Sequence, residues 1–374
     1  MIGFNNSNMP TDDAGQLLLV GVPGKTLDAA TAKLFRELRP GGFILFGRNI
    51  ESPTQLRRLM DDLRDVSDVE PILAIDQEGG RVSRLRLLGS EPPSARDLRD
   101  HGRDECLVRH GATTAKILRL FGFNLDLCPV LDISFDDEAD NSLRGRCHGR
   151  TAGEVIHNAG LFNEALRAGG ILSCGKHFPG YSCAGLDPHH ELPSIERSRA
   201  ELEAHELAVF RHFSSRLDSM MMGHITISGL ESGGPPASLS PKMIDGFLRG
   251  ELGFSGLVMT DDLDMGAILN HYGFEETMKR GIAAGNDLLM ICHRVELALE
   301  ARRVVEGLPA PKLEGALARV ARFKGLLAPP LAFSEEAFFA ADADIMRLRV
   351  DVLGEARAHE QSVEDGKRSP VEIY

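Results

Sequence analysis

The densest set of potentially reactive side chains in the sequence lies between residues 176 and 193. This segment contains one lysine, three histidines and two acidic residues, interrupted by three prolines and two glycines. Because prolines fix φ and remove an amide donor, and glycines favour turns, the segment is expected to form a shaped loop rather than a helix. It follows an apolar run at residues 170–175. Loops that follow strands commonly carry catalytic and binding groups.

Three chemical interpretations of this loop are open. Asp187, His189 and His190 could belong to a metal site, although no H-E-x-x-H or C-x-x-C spacing accompanies them. The histidines could also serve only the structure of the loop. In the third interpretation, Asp187 holds the imidazole of His189 in one tautomer, and the other ring nitrogen moves a proton near neutral pH. The choice depends on the elements that surround the loop.

Composition and charge exclude several classes of protein. The 374 residues include 43% hydrophobic ones, which is enough for a large buried core. The net charge of −13 argues against non-specific binding to nucleic acid or to an anionic membrane, because both require a basic surface. The six cysteines show no paired spacing, and no apolar segment is long enough to span a membrane. We therefore expect a soluble protein in the reducing cytoplasm.

Short β-rich runs alternate with helical patterns along most of the chain. The eight candidate strands are residues 16–22, 42–46, 71–76, 124–132, 170–177, 219–225, 256–261 and 287–292. The candidate helices are residues 27–38, 54–66, 106–121, 152–167, 199–213, 241–251, 275–284, 295–306 and 313–327. Apolar strands that alternate with helices are typical of a parallel sheet covered on its outer face.

Eight such units predict an α/β fold with a single (β/α)8 TIM-type barrel. An open dinucleotide-binding sheet would require G-x-G-x-x-G after its first strand, and residues 21–25 match neither that motif nor a P-loop. The predicted barrel domain covers residues 1–328. A double proline then marks a boundary, and residues 329–374 are predicted to form a C-terminal helical extension with a charged tail. We expect a helix at 335–353 to pack on the barrel, with dimerisation as an alternative role.

The barrel prediction also explains where polar residues occur. Several follow directly on predicted strands, at the carboxyl ends that form the catalytic mouth of such a barrel. They are Arg48, Asp76, Gln77, Glu78, Asp132, Lys176, His177, His224, Asp261 and Asp262. We expect Asp262 and Asp264 to be structural, because acidic residues suit the start of the helix that follows. His224 is expected either to line the pocket or to lie in the core.

Four motifs along the chain carry a resemblance to a known family. They are DQEGGRVSR at residues 76–84, KHFPG at 176–180, D-x-H at 187–189 and TDDLDM at 260–265. In this order they resemble family 3 glycoside hydrolases, and within them the single-barrel β-N-acetylglucosaminidases of the NagZ type. The resemblance implies a retaining β-N-acetylhexosaminidase that removes terminal β-N-acetylglucosamine, or a related β-hexosamine, from small glycosides such as peptidoglycan fragments.

The resemblance also implies roles for individual residues. Asp261 corresponds to the nucleophile, His189 to the general acid/base and Asp187 to its orienting partner. The residues that correspond to sugar ligands are Asp76, Arg84, Arg146, Lys176 and His177. The family implies no metal or organic cofactor. The expected partner is a small carbohydrate, without nucleic acid or membrane, and the expected state is a monomer or a weak homodimer.

The physical chemistry of these residues agrees with the implied roles. A retaining glycosidase needs a carboxylate on one face of the sugar to trap the positively charged anomeric centre, and a strand end would hold Asp261 rigidly. The leaving oxygen needs a proton, and a histidine, with an ordinary pKa of about 6.5, can donate one and take it back at neutral pH. Asp187 would fix the tautomer of His189, as the aspartate of a catalytic triad does.

One loop departs from the family pattern. Residues 181–184 are Tyr-Ser-Cys-Ala, where such enzymes carry His-Gly-Asp-Thr. We expect this change to affect the leaving-group side of the site and to leave the sugar pocket unchanged. Three alternatives stay open: a glycoside phosphorylase, a hydrolase of another β-linked sugar, and a catalytically weak sugar-binding barrel. The phosphorylase is considered because an imidazole acid/base does not repel phosphate as a carboxylate would.

Overall fold

Eight parallel strands form a closed barrel, which confirms the predicted α/β class and TIM-type architecture. The computed structural model describes residues 11–139, 141–182 and 191–362. The strands are β1 Leu18–Gly21, β2 Gly42–Leu45, β3 Ile72–Ile75, β4 Leu125–Asp126, β5 Leu172–Phe178, β6 Ser219–Met222, β7 Leu257–Asp262 and β8 Leu288–Ile291. The barrel closes where β1 pairs with β8, with Leu19 opposite Met290. All eight candidate strands therefore contribute to the barrel.

Helices surround the barrel and cover its outer face. They are α1 Ala29–Leu38, α2 Pro53–Asp65, α3 Ala95–His101, α4 Asp104–Phe121, α5 Ala152–Ala168, α6 Arg199–Ala204, α7 Glu206–Phe213, α8 Gly266–Leu269, α9 Phe274–Ala283, α10 Ala298–Glu306, α11 Ala310–Lys324, α12 Glu335–Leu353 and α13 Glu355–Ala358. Helix α2 shows why such elements begin where they do. The Ser52 hydroxyl accepts a hydrogen bond from the backbone amide of Gln55, and the Gln55 side chain accepts one from the backbone amide of Ser52. Pro53 has no amide hydrogen and therefore fits the first turn, where such a donor would lack a helical partner.

Three predicted elements differ in detail from the structure. The helix expected at 199–213 is divided into α6 and α7, because His205 has φ −128° and ψ −96°, outside the helical range. The helix expected at 241–251 is a π-helix, Lys242–Glu251. The strand expected at 124–132 pairs regularly only over β4 and then through a single bridge at Val130. Pro129 interrupts the pairing because it has no amide hydrogen to donate.

The barrel strands are buried on both faces. All four residues of β1, β2, β3 and β8 are buried, which explains the continuous apolar runs in the sequence. Within the described residues, no helix is both long enough and apolar enough to cross a membrane. The burial of the strands directs their polar groups to the strand ends, where the candidate site lies.

The C-terminal extension packs against the barrel helices. Helix α12 has the bounds that the sequence predicted, and its Phe338 ring lies 5.1 Å from the ring of Phe121 at the end of α4. Farther along α12, the buried guanidinium of Arg349 donates to the carbonyls of Glu91 and Ala358. Apolar burial and hydrogen bonds therefore attach this helix to the barrel. The domain boundary at residue 328 stays a prediction.

The contact of α12 with the barrel predicts that truncating two adjacent phenylalanines changes the stability of the protein by different amounts. Phe338 is 1% exposed and Phe339 is 52% exposed. Phe338→Ala should lower the free energy of unfolding by about 3 kcal/mol, because it removes a buried ring and leaves a cavity. Phe339→Ala should change it by less than about 0.5 kcal/mol. Urea unfolding followed by circular dichroism measures both. Equal losses would show that α12 is not part of the cooperative unit.

Candidate active site

The predicted site residues meet at the carboxyl end of the barrel. Asp76 follows β3, and Lys176 and His177 lie in the last part of β5. Asp261 is the next-to-last residue of β7. Together they line one cavity, with further polar groups from Ser142, Arg146, Tyr181 and Asp262. Its apolar lining includes Ile44, Phe46, Leu127, Met221, Met265 and Met290. Barrel closure therefore brings together residues that are far apart in the sequence.

A buried ion cluster forms one wall of this cavity. The Nζ atom of Lys176 lies 2.6 Å from Asp76 Oδ1 and 2.6 Å from Glu78 Oε1. Arg146 approaches the same Glu78 with two nitrogens, Nε at 2.7 Å and Nη2 at 2.8 Å. Such a bidentate pair fixes the guanidinium plane as well as its position. Glu78 was not among the predicted site residues, although its place after a strand in an acidic motif was a usable signal.

Burial and pairing act in opposite directions on the members of this cluster. Burial favours the neutral form of Asp76, but Lys176 and Arg84 outweigh it and hold the pKa of Asp76 below its ordinary value. Burial is likewise outweighed at Glu78, whose pKa is lowered by Arg146 and Lys176. Burial alone would lower the pKa of Lys176, but the two carboxylates outweigh it and raise that pKa. The carboxylates therefore stabilise the fold at neutral pH, and this stability is lost only as the pH falls through their lowered pKa values.

Arg84 lies at the edge of the cluster. It is buried, and its guanidinium lies 3.5 Å from Asp76 Oδ2 and 5.8 Å from the centre of the Phe46 ring. Arg84 is therefore placed beside Asp76 inside the protein rather than on its surface.

Asp132 holds His177 in place. The carboxylate lies 2.8 Å from His177 Nδ1 and accepts from the backbone amides of His177 and Tyr181. When Nδ1 donates to this carboxylate, Nε2 is left as the acceptor nitrogen of the ring. Asp132 is fully buried, so its orientation is fixed by these bonds. The sequence placed Asp132 at a strand end but did not identify it as the partner of His177.

The two adjacent aspartates of β7 have different environments. Asp261 is partly exposed in the cavity, and one of its oxygens accepts from the Asp262 amide at 2.8 Å. Asp262 is buried, and its Oδ1 accepts from the amides of Asp264 and Cys292. Burial, and then the charge of Asp264, raise the pKa of Asp262 to about 8. The environment of Asp262 therefore favours its neutral form, whereas Asp261 faces the cavity.

Asp264 and His224 have structural contacts. The carboxylate of Asp264 accepts from the amides of His293 and Arg294 and from Arg294 Nε at 2.6 Å. It thus joins the loop after β7 to the loop after β8, rather than capping the next helix as expected. The buried His224 places Nδ1 2.7 Å from Ser238 Oγ and Nε2 2.9 Å from the Asp262 carbonyl. It supports the backbone next to Asp261.

Comparison with known proteins identifies the family. The model described as "Glycosyl hydrolase family 3 N terminal domain" matches residues 11–323. The chain belongs to this family. It is therefore a glycosidase by class, in agreement with the resemblance that the four motifs carried.

Curated family 3 relatives match most of the chain. A protein named beta-hexosaminidase from Pseudomonas aeruginosa is 32% identical over 301 residues, which cover 79% of this chain and 89% of the relative. One of the same name from Vibrio cholerae is 33% identical over 295 residues, which cover 78% and 86%.

Solved structures agree with the fold. The family 3 β-N-acetylglucosaminidase from Paenibacillus sp. superposes with a TM-score of 0.86 at 29% identity, covering 92% of this chain and 69% of that one. Native NagZ from Neisseria gonorrhoeae has a TM-score of 0.76 at 28% identity, covering 89% and 97%.

The loop that departs from the family 3 pattern begins inside the site. Tyr181 is buried and lines the cavity, with its ring 4.8 Å from the imidazole of His177. Its hydroxyl accepts from the amide of His224. Next to it, Ser182 Oγ accepts from the Ile133 amide at 2.8 Å. Tyr181 therefore forms part of the wall next to His177, and the effect of the altered loop on the sugar pocket and on the leaving-group side stays a prediction.

The remaining members of the predicted family 3 site are outside the described part of the chain. Asp187 and His189 lie between residues 182 and 191, as does Cys183, and their roles stay predictions. Among residues 11–139, 141–182 and 191–362, no group of three or more histidine, cysteine or acidic side chains is arranged to hold a metal ion.

The ion cluster predicts that removing the charge of Glu78 strongly lowers the stability of the fold. Glu78→Gln keeps the side-chain volume but removes a negative charge that compensates the buried cations of Lys176 and Arg146. We expect a loss of about 3 kcal/mol in the free energy of unfolding, as for other broken buried pairs. Glu138→Gln is the matched control, because its ion-paired side chain is 66% exposed and should cost less than about 1 kcal/mol. Denaturant titration of both variants measures the difference. A loss as small as in the control would contradict a structural role for the cluster.

Proposed function

We propose that this chain is a retaining β-N-acetylhexosaminidase that removes terminal non-reducing β-N-acetylglucosamine, or a related β-hexosamine, from small glycosides such as peptidoglycan fragments. The names of the relatives support the sugar, and the cavity supports the chemistry. The observation that carries the proposal is the position of Asp261. This carboxylate is at the carboxyl end of β7, partly exposed to the cavity that Lys176 and His177 also line.

In the proposed reaction, a carboxylate oxygen of Asp261 attacks the anomeric carbon while the bond to the leaving oxygen breaks. His189 gives its proton to that oxygen, and Asp187 keeps the imidazole in the required tautomer. The neutral imidazole then takes a proton from water, and the water oxygen displaces Asp261 from the sugar. Two displacements retain the anomeric configuration. The roles of His189 and Asp187 are supported by the D-x-H motif and by family membership.

The ion cluster suits recognition of a neutral sugar. Lys176, Arg84 and Arg146 are each paired with Asp76 or Glu78, so the wall presents oriented donors and acceptors without a large net charge. Hydroxyl groups can both donate to the carboxylates and accept from the cations. His177 adds a ring nitrogen whose direction is set by its bond to a buried carboxylate. Asp76, Arg84, Arg146, Lys176 and His177 are therefore proposed to position the sugar.

The proposed setting is the cytoplasm, with a monomeric or weakly dimeric protein. The five cysteines in the described part of the chain are free and buried, which suits a reducing compartment. A phosphorylase, a hydrolase of another β-linked sugar and a weakly active sugar-binding barrel are the competing functions. They differ from the proposal in which glycoside is cleaved and in whether phosphate participates.

One experiment separates these functions. Purified protein is incubated with the nitrophenyl β-glycosides of N-acetylglucosamine, glucose and xylose, with and without inorganic phosphate. The proposal predicts fastest cleavage of the N-acetylglucosaminide, with free sugar as the product in both conditions. Glycosyl phosphate as the product would identify a phosphorylase. Faster cleavage of glucoside or xyloside, or no cleavage at all, would refute the proposed substrate.

The role of Asp261 predicts a covalent intermediate. Asp261→Asn should fold normally and lose at least about 10⁴-fold in kcat, because an amide is a poor nucleophile. A 2-fluoro or 5-fluoro glycosyl donor should label Asp261 in the unmodified protein, as located by mass spectrometry of its peptides. Asp262→Asn is a matched control that should still be labelled at Asp261. Labelling of Glu78 or Asp262 instead would exclude Asp261 as the nucleophile.

A further inference from the structure

A second cavity, of about 520 Å³, lies at the opposite end of the barrel from the family 3 site. Gln16, Pro40 and Val69 border it, and these residues precede β1, β2 and β3. Residues that precede parallel strands lie at the amino end of a barrel, whereas the site residues follow strands. The volume is in the range of small-molecule sites. A ligand held here would therefore be separate from the sugar in the proposed active site.

One wall of this cavity is apolar. Helix α11 contributes Leu317, Val320 and Ala321, and Pro40 and Val69 face the same space. Val69 is 53% exposed, so the apolar surface is open to solvent at the entrance. Burial of such surface by a ligand removes apolar area from water and is favourable. The wall therefore favours a ligand with an apolar body.

Two cations border the cavity, Arg39 and Lys324, and Lys324 is oriented by a glutamine. Lys324, at the end of α11, places Nζ 2.7 Å from Gln16 Oε1. The amide nitrogen of Gln16 donates to the carbonyls of Arg39 and Pro40, so its oxygen is turned towards Lys324. Within the described residues, Lys324 makes no ion pair, and Gln16 is its hydrogen-bond partner. The ammonium therefore faces a neutral amide and can still donate to a ligand.

The acidic residues at the cavity do not compensate this charge. Asp68 lies 2.9 Å and Asp13 lies 3.6 Å from the guanidinium of Arg39. Their side chains are 69% and 35% exposed, and both carboxylates are paired with Arg39. The ammonium of Lys324 is thus the cation at this cavity that no carboxylate pairs with in the described part of the chain.

We propose that this cavity binds a small amphipathic carboxylate. Its carboxylate accepts from Lys324 Nζ, and its apolar body lies against Leu317, Val320 and Val69. A charge-assisted hydrogen bond in a partly buried place supplies the specificity, and the apolar wall supplies most of the affinity. The site is independent of the proposed glycosidase reaction.

The titration of Lys324 gives the binding a pH dependence. Burial lowers the pKa of Lys324 to about 8, and the charge of Glu70 acts in the opposite direction. The other charged groups around the cavity are Asp13, Arg39 and Asp68. A bound carboxylate keeps the ammonium protonated, so its affinity should fall about ten-fold when the pH is raised from 7 to 9.

Three matched probes test the charge of the ligand. Isothermal titration calorimetry at pH 7 compares 4-phenylbutanoate with 4-phenylbutan-1-ol and 4-phenylbutylamine, which share the same apolar body. We expect saturable binding of the carboxylate, at least about ten-fold weaker binding of the alcohol, and still weaker binding of the amine. Only the carboxylate should lose affinity at pH 9.

Variants of α11 locate the site. Lys324→Met keeps the length of the side chain and should weaken carboxylate binding at least about ten-fold, with little effect on the alcohol. Ala318→Phe at the exposed rim should weaken both probes by filling the entrance. Lys312→Met is the control, because this 48% exposed lysine of the same helix faces Asp245 and lies outside the cavity lining.

Four results would refute the proposal. The first is no saturable binding of 4-phenylbutanoate below about 10 mM. The others are equal binding of the carboxylate and the alcohol, tighter binding of the amine, and equal losses of carboxylate affinity in Lys324→Met and Lys312→Met. Thermal unfolding of each variant without ligand confirms that it is folded before its binding is compared.

Discussion

Burying an ammonium group is costly unless carboxylates compensate its charge, and the site depends on this compensation at the fully buried Lys176. Lys176 lies in β5, and its partners Asp76 and Glu78 come from the segment after β3. Glu78 also binds Arg146, from the loop after β4. Because β3, β4 and β5 are neighbours in the barrel, one ion cluster fixes three adjacent strand ends. Removing Glu78 would leave Arg146 without this carboxylate partner and Lys176 with only Asp76.

The opposite side of the cavity is held mainly by hydrogen bonds to backbone amides, with an ion pair between Asp264 and Arg294. Asp262 and Asp264 accept amide hydrogens from the loop after β8, and His224 supports the Asp262 carbonyl. Burial raises the pKa of Asp262 and so favours its neutral form. The partly exposed carboxylate of Asp261 faces the cavity, where it can stabilise a developing positive charge. Fixed dipoles surround the proposed nucleophile, and paired charges surround the proposed sugar ligands.

The sequence predicts the parts of this arrangement that depend on local pattern. Apolar runs of strand length identify all eight strands. The polar residues near their carboxyl ends place Asp76, Lys176 and Asp261 together at the catalytic end of the barrel. The pairings within the mouth depend on contacts between distant residues, such as Glu78 with Arg146, and no local pattern specifies them. Local breaks were also missed. Two examples are the division of the predicted helix at His205 and the early end of β4 before Pro129.

The altered loop shows how a departure from a family pattern can be compensated. A tyrosine at position 181 needs space, and Gly223 supplies it, because a Cβ there would lie 2.9 Å from the Tyr181 ring. The backbone amide of Tyr181 donates to Asp132, the carboxylate that also orients His177. Its hydroxyl accepts from His224, which in turn supports the backbone beside Asp261. Tyr181 thus contacts the supports of both a proposed sugar ligand and the proposed nucleophile. A change at this position acts on the pocket wall first, and through it on the loop that leads to Asp187 and His189.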